Sequence, residues 1–207
     1  MSSLPGLVIR ELAPDLVEDY LAFFDHDAFA DFSWWSGCFC VFFNDPGNPE
    51  GDSSPETIPA HRAMARELVL MGQTQGLLAY VDEKPVAWCN AAPRSSYRNL
   101  RRYAVAVEDP SEPVGSLMCF VVAAPFRGKG IATALLHAAC EKFVRQGLLV
   151  AEGYPTITPP TGPWAAETPW TSHNYHGPLE MFLKAGFSVH REVGTFAIVR
   201  KTLVEAS

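Results

Sequence analysis

The stretch from Val114 to Gly153 limits the possible folds of this chain more than any other. Residues 114–125, VGSLMCFVVAAP, are continuously apolar and fit a central strand covered on both faces. A turn with two glycines follows, Arg127-Gly128-Lys129-Gly130-Ile131-Ala132. Residues 129–146 then show a helical period: Ile131, Ala134, Leu135, Ala138 and Phe143 share a stripe, and Glu141, Lys142 and Arg145 fall outside it. Gly147 suits the C-cap, and LLVAEG (148–153) reads as a second strand. Strand, turn, helix and strand make a βαβ unit.

The turn is built to receive an anion. Glycine lets backbone N–H groups approach a ligand with no Cβ in the way. The helix behind it offers unsatisfied N–H groups and the positive end of its dipole, which together suit a pyrophosphate. Arg127 and Lys129 add charge, and the Thr133 hydroxyl adds a donor. A P-loop is excluded, because Lys129 is followed by Gly130 and not by Ser or Thr, and the upstream glycine is missing. A dinucleotide fingerprint is disfavoured by the absent third glycine and the late position in the chain. A tight turn closing on a core helix is the plain structural alternative.

Around this unit the chain alternates short elements. LVIREL (7–12) reads as a strand, and Pro14-Asp15 opens a helix through Leu16, Tyr20, Leu21 and Phe24. FADFSWWSGCFCVFF (29–43) is an aromatic segment, followed by a polar loop to Pro59. Residues 60–74 are helical through Met64, Leu68 and Met71, with Gly76 as the stop. GLLAYV (76–81) and PVAWCNAA (85–92) form a hairpin around Asp82, Glu83 and Lys84. A Pro- and Trp-rich loop (154–172), a short helix near 177–185 and two strands, GFSVHR and TFAIVRK, complete the chain.

Arg or Gln, two residues, Gly, one residue, then Gly or Ala is the signature of the GCN5-related N-acetyltransferase (GNAT) superfamily, which this chain resembles over Arg127 to Ala132, with Gly130 and Ala132 at the two key positions. Pro125 and Phe126 before it, and Lys184-Ala185-Gly186-Phe187 near the end, also match. The Cys38–Phe43 run, with GLLAYV and Trp88-Cys89-Asn90-Ala91, looks like a bacterial subgroup of these acetyltransferases. The resemblance covers residues 7–25 and 60–203. It implies an α+β, three-layer α/β fold with six to seven mostly antiparallel strands, one parallel splayed pair and flanking helices. Residues 1–207 would be a single domain with an insertion at about 26–60. It also implies acetyl-CoA as donor, with no metal, and direct attack by a primary amine of a small molecule or peptide. Pantetheine would bond to backbone at Phe120, Val121 and Val122, and phosphates would rest on N–H groups from Gly128 through Lys129, Gly130, Ile131 and Ala132 to Thr133, beside Arg127.

Proton chemistry is less regular. The family often has a tyrosine four residues before its Gly-Phe pair, to protonate the leaving thiolate. Phe182 stands at the matching position, so Tyr175, Tyr154 or water would have to serve. Glu152 ends the strand bordering the splay and is the first candidate base, with a solvated strand-end carboxylate as the alternative. His173 and His176 bracket Asn174-Tyr175 and titrate in the right range. The altered proton donor also leaves room for a non-catalytic CoA-binding or regulatory module of the same fold.

Composition removes other classes. A net charge of −7 gives no general attraction to nucleic acid or acidic membranes. No apolar run is long enough to span a bilayer, and the N-terminal residues lack the pattern of a secretory signal, so cytoplasm is the expectation. Five cysteines suit reduced thiols. Cys38-x-Cys40 has no second ligand pair for zinc and reads as buried thiols, and Cys119 reads as a core or pocket-lining thiol rather than an acyl nucleophile. An exposed sheet edge would permit a homodimer.

Overall fold

The structure, a computed structural model, describes residues 4–44, 52–100, 109, 111–158 and 174–203. His173, Trp164 and Trp170 lie outside the described residues. Seven strands form one sheet: β1 (Val8–Glu11), β2 (Gly76–Val81), β3 (Lys84–Pro93), β4 (Val114–Val122), β5 (Val150–Gly153), β6 (Ser188–Val193) and β7 (Phe196–Thr202). Their order is β1-β2-β3-β4-β5-β7-β6. Only β4 and β5 run parallel; every other pair is antiparallel. The β2–β3 turn is tighter than the sequence suggests. Asp82 and Glu83 alone form it, both with positive φ, and Lys84 already pairs with Val81.

The two faces of the sheet bury different helices. Leu77, Ala79, Ala87, Cys89 and Phe120 meet α3 (Ile131–Arg145) and α4 (Leu179–Lys184). The alternate residues Leu78, Tyr80, Trp88, Cys119 and Val121 meet α1 (Val17–His26), α2 (Ile58–Leu70) and the aromatic segment. That inversion is the period-two side-chain alternation of the strands. No described helix is long and apolar enough to cross a membrane.

Three expectations are corrected. Lys142 lies inside the α3 core, with Nζ 3.1 Å from the Ala91 carbonyl; its long stem packs apolar while the ammonium satisfies a strand carbonyl. On α2, His61, Ala65, Leu68 and Val69 are buried and Met71 is exposed, because the helix ends at Leu70. The left-handed residue that follows it is Gly72, whereas Gly76 opens β2, where a Cβ would stand 2.2 Å from the Cys89 carbonyl.

Candidate active site

The β4–β5 ladder begins at Val114↔Val150 and ends at Leu117↔Gly153. Beyond it β4 continues alone to Val122, so the sheet splits toward the C-terminal end of β4. α3 starts at that same end. Gly128 and Gly130 have φ of +73° and +81°, and a Cβ on either would meet nothing within 4 Å. The left-handed backbone, not crowding, therefore calls for glycine, and the face of the turn is open. Gly130 is the N-cap of α3 and the first turn holds no acidic residue. The N–H groups of Ile131, Ala132 and Thr133 have no intrahelical acceptor and mark an anion site. Lys129 Nζ sits 5.2 Å from the centre of the Phe126 ring at its rim.

Arg127 is engaged elsewhere. Its guanidinium pairs with the Asp31 carboxylate and its Nε donates to the Val122 carbonyl at 2.9 Å. The hydrogen bonds from the guanidinium to the carboxylate hold the Asp31 carboxyl below its usual pKa. Arg127 thereby fastens the aromatic segment to the end of β4.

The exposed edge of β4 is also occupied. The Phe120 N–H donates to the Tyr175 carbonyl at 2.6 Å, and His176 Nδ1 lies 2.6 Å from the Met118 carbonyl. Phe120 turns its ring toward Phe182, on the α3 face, while Val121 faces the aromatic segment. Two adjoining cavities lie on that second face. One, of about 180 Å³, is lined by Trp35, Cys40, Phe43, Cys119 and Tyr175 among others. The other, of about 160 Å³, touches Phe120, Val121, Val122, Asp31, Arg127 and Asn174. Phe29, Trp35, Val121 and Tyr175 belong to both walls. The buried Asn174 Oδ1 has no hydrogen-bond partner among the described residues.

The described residues considered for proton transfer are placed very differently. Glu152 is 1% exposed, not a solvated strand end. Its Oε1 accepts from Tyr154 Oη at 2.6 Å; its Oε2 accepts from Arg200 Nε at 2.7 Å and faces Arg94 Nη1 at 3.4 Å. Oε2 already faces two guanidinium groups, so Oε1 alone keeps a lone pair free, and burial closes it off from solvent. Tyr154 is committed to this network too, and burial raises its pKa. His176 is enclosed by Phe43, Tyr154, Tyr175 and Phe196, and burial lowers its pKa to about 4. Tyr175 is the one of these four that lines both cavities, edge-on to Trp35 at 5.8 Å.

Phe182 explains the missing tyrosine in steric terms. Its Cζ lies 2.6 Å from where a Cβ on Gly153 would stand, so the ring end is packed into β5. Sequence reasoning missed Arg94, which is buried on Glu152 and Glu112. It missed Asp31 as the partner of Arg127, a contact across 96 residues with no local signal. Among the described residues no group of His, Cys, Asp or Glu could hold a metal ion.

The sheet thus splits at its parallel pair, with a glycine turn and a helix N-terminus at the mouth of the split. Residues 9–156 match the model of the Acetyltransferase (GNAT) family, and the chain belongs to that family. Solved structures agree on the fold. A GNAT-family acetyltransferase from Listeria monocytogenes superposes with a TM-score of 0.55 at 11% identity, covering 95% of each chain. The PaiA N-acetyltransferase of Thermoplasma acidophilum, in complex with coenzyme A, gives 0.51 at 16%, covering 98% of this chain and 99% of that one. YncA of Salmonella typhimurium, with its cofactor acetyl-CoA, gives 0.50 at 13%, covering 98% and 96%. Comparison with curated proteins gives no match.

Proposed function

We propose that the protein transfers an acetyl group from acetyl-CoA to a primary amine of a small molecule or peptide. The observation that carries this reading is the split beyond Leu117 and Gly153, opening toward Gly128 and Gly130. The N–H groups from Gly128 to Thr133 would hold the pyrophosphate, with Lys129 at the rim. The pantetheine would lie along Phe120, Val121 and Val122, its amide taking the Phe120 N–H in place of the Tyr175 carbonyl. The bound coenzyme in the Thermoplasma and Salmonella relatives supports the choice of donor. The aromatic cavities beside Val121 would receive the acceptor, and Tyr175, on the wall of both, would hydrogen-bond the departing thiolate. An apolar, aromatic wall selects amines with an apolar or ring substituent.

One observation favours a second reading, a CoA-binding module without turnover. Tyr175, His176 and Arg127 already occupy backbone groups along the edge that the pantetheine needs. Release of free thiol from acetyl-CoA, measured across a broad amine panel, separates the two. Turnover with at least one amine class supports the enzyme; micromolar binding with silence across the panel supports the module.

A further inference from the structure

A short strap, residues 174–177, lies along the free edge of β4. The Tyr175 carbonyl accepts the Phe120 N–H at 2.6 Å, and the next residue, His176, sets Nδ1 2.6 Å from the Met118 carbonyl. The Gly177 N–H closes the strap into a turn by donating to the Asn174 carbonyl at 2.9 Å. Gly177 has φ of +84°, and a Cβ there would stand 2.6 Å from Met181. The backbone of Asn174 is thereby fixed beside the Phe120 end of the edge.

The side chain that this backbone presents breaks an ordinary rule of packing. Asn174 lines the smaller cavity, and its Oδ1 is buried with no hydrogen-bond partner among the described residues. A buried acceptor without a donor bears its full desolvation cost, and a donor supplied by a ligand removes it. The charged groups on the same wall do not fill that need, because Asp31 and Arg127 are paired with each other.

Position identifies the ligand atom. The β4 edge runs from Val122, whose carbonyl takes Arg127 Nε beside the glycine turn, to Phe120, whose N–H meets the strap. A coenzyme with its phosphates on the turn would bring its thioester to the Phe120 end, where Asn174 stands. When the pantetheine takes the Phe120 N–H, the Tyr175 carbonyl lets go and the neighbouring Asn174 side chain comes free to turn into the cavity. The larger aromatic cavity opens off the same place, across the shared wall of Phe29, Trp35, Val121 and Tyr175. An acceptor with its ring in the larger cavity would carry its nitrogen past Asn174 on the way to the thioester.

We infer that Asn174 positions the acceptor amine, and that this site takes primary amines and rejects secondary ones. The inference rests on the reading of acetyl-CoA as donor and of the two cavities as the acceptor site. Asn174 Oδ1 accepts one N–H of the neutral amine, and that bond turns the nitrogen lone pair toward the acetyl carbonyl. As the C–N bond forms, the nitrogen becomes positively charged. A primary amine then carries two hydrogens. One stays on Asn174 and becomes the amide N–H; the other leaves to water as a proton. The C–S bond breaks, and the coenzyme departs as a thiolate. A secondary amine carries one hydrogen at that stage, held by a carboxamide oxygen that accepts a hydrogen bond but is no base. Its proton has no exit, and the adduct returns to reactants.

The test compares 2-phenylethylamine with N-methyl-2-phenylethylamine, read as thiol release from acetyl-CoA, with calorimetry for coenzyme binding and an unfolding scan on the same samples. The wild type should prefer the primary amine by about tenfold or more in kcat/KM. Asn174→Ala should lose about tenfold on the primary amine and most of the preference. Its acetyl-CoA affinity and unfolding midpoint should hold, since the Asn174 Oδ1 has no partner to lose among the described residues. Asn174→Asp keeps the shape and the accepting oxygen but adds a base, so the N-methyl amine should gain rate. A folded Asn174→Ala with the wild-type preference overturns the proposal and leaves acetyl transfer standing, and so does an Asn174→Asp on which the N-methyl amine stays as slow as before. A lowered midpoint in Asn174→Ala marks a residue that holds the fold and overturns it too. No thiol release from either amine on the wild type removes the acceptor reading of the cavities, and the proposal with it.

Discussion

Replacing Glu152 by Gln separates an anchor from a base. The carboxylate is buried at 2% side-chain exposure beside Arg94 at 5% and Arg200 at 19%, and it joins β5 to β7 and to the segment after β3. Gln keeps the shape and still accepts from Tyr154, but it leaves the buried Arg94 guanidinium with the Glu112 carboxylate, 3.5 Å away, as its remaining charge partner. Removing one partner of a buried pair costs about 3–5 kcal/mol. Glu112 keeps part of the charge pairing of both arginines and Arg200 is partly solvated, so the low end of that range, about 3 kcal/mol, is expected. At roughly 2–4 °C per kcal/mol for a domain of this size, the midpoint of thermal unfolding should fall by about 6–12 °C. Urea unfolding at constant m-value measures the loss directly. Acetyl transfer by the folded variant should retain most of the wild-type kcat. An unchanged midpoint with a collapsed kcat would refute the anchor and restore Glu152 as the base.

Other consequences can be checked on the same samples. His176 titrates at about 4 in the fold against an ordinary 6.5, so it stabilises the neutral form. Stability should therefore be full above about pH 6.5 and fall as pH drops toward 4, by about 3 kcal/mol in all, and His176→Gln should flatten that slope in urea titrations. Gly153→Ala should cost about 1–3 kcal/mol by overpacking, since its Cβ would stand 2.4 Å from the Phe182 ring; Phe182→Leu in the same chain should recover part of it in unfolding midpoints. Displacing the Tyr175 carbonyl from Phe120 should alter Trp35, 5.8 Å from the Tyr175 ring, so CoA should change tryptophan emission in the wild type and much less in Trp35→Phe.

What the sequence could show followed from period and spacing. The βαβ unit was legible because an unbroken apolar run, two glycines and a helical stripe occupy adjacent segments, and each has a local physical cause. The hairpin was legible for the same reason, although Asp82 and Glu83 gave no glycine to mark the turn's true length. Lys142 was misplaced because its charge masks an apolar stem that reaches the Ala91 carbonyl. The roles of Glu152, Arg94 and Asp31 were hidden for a different reason. Their partners are Arg200, Glu152 and Arg127, at 48, 58 and 96 residues' separation, and only the strand order brings them together. The cavity that Cys40 and Cys119 line likewise depends on the aromatic segment folding back over β4, which no periodicity encodes.

The turn at Gly128 and Gly130 is where the account is most exposed. Gly130→Glu would put a carboxylate and a strained φ of +81° where the coenzyme's phosphates are to lie, yet its Cβ would meet nothing within 4 Å. Calorimetric titration with acetyl-CoA, run beside a thermal unfolding scan, should show micromolar binding to the wild type and none to a Gly130→Glu variant that remains folded. Equal affinity in the two proteins would contradict the assignment of this turn as the phosphate site.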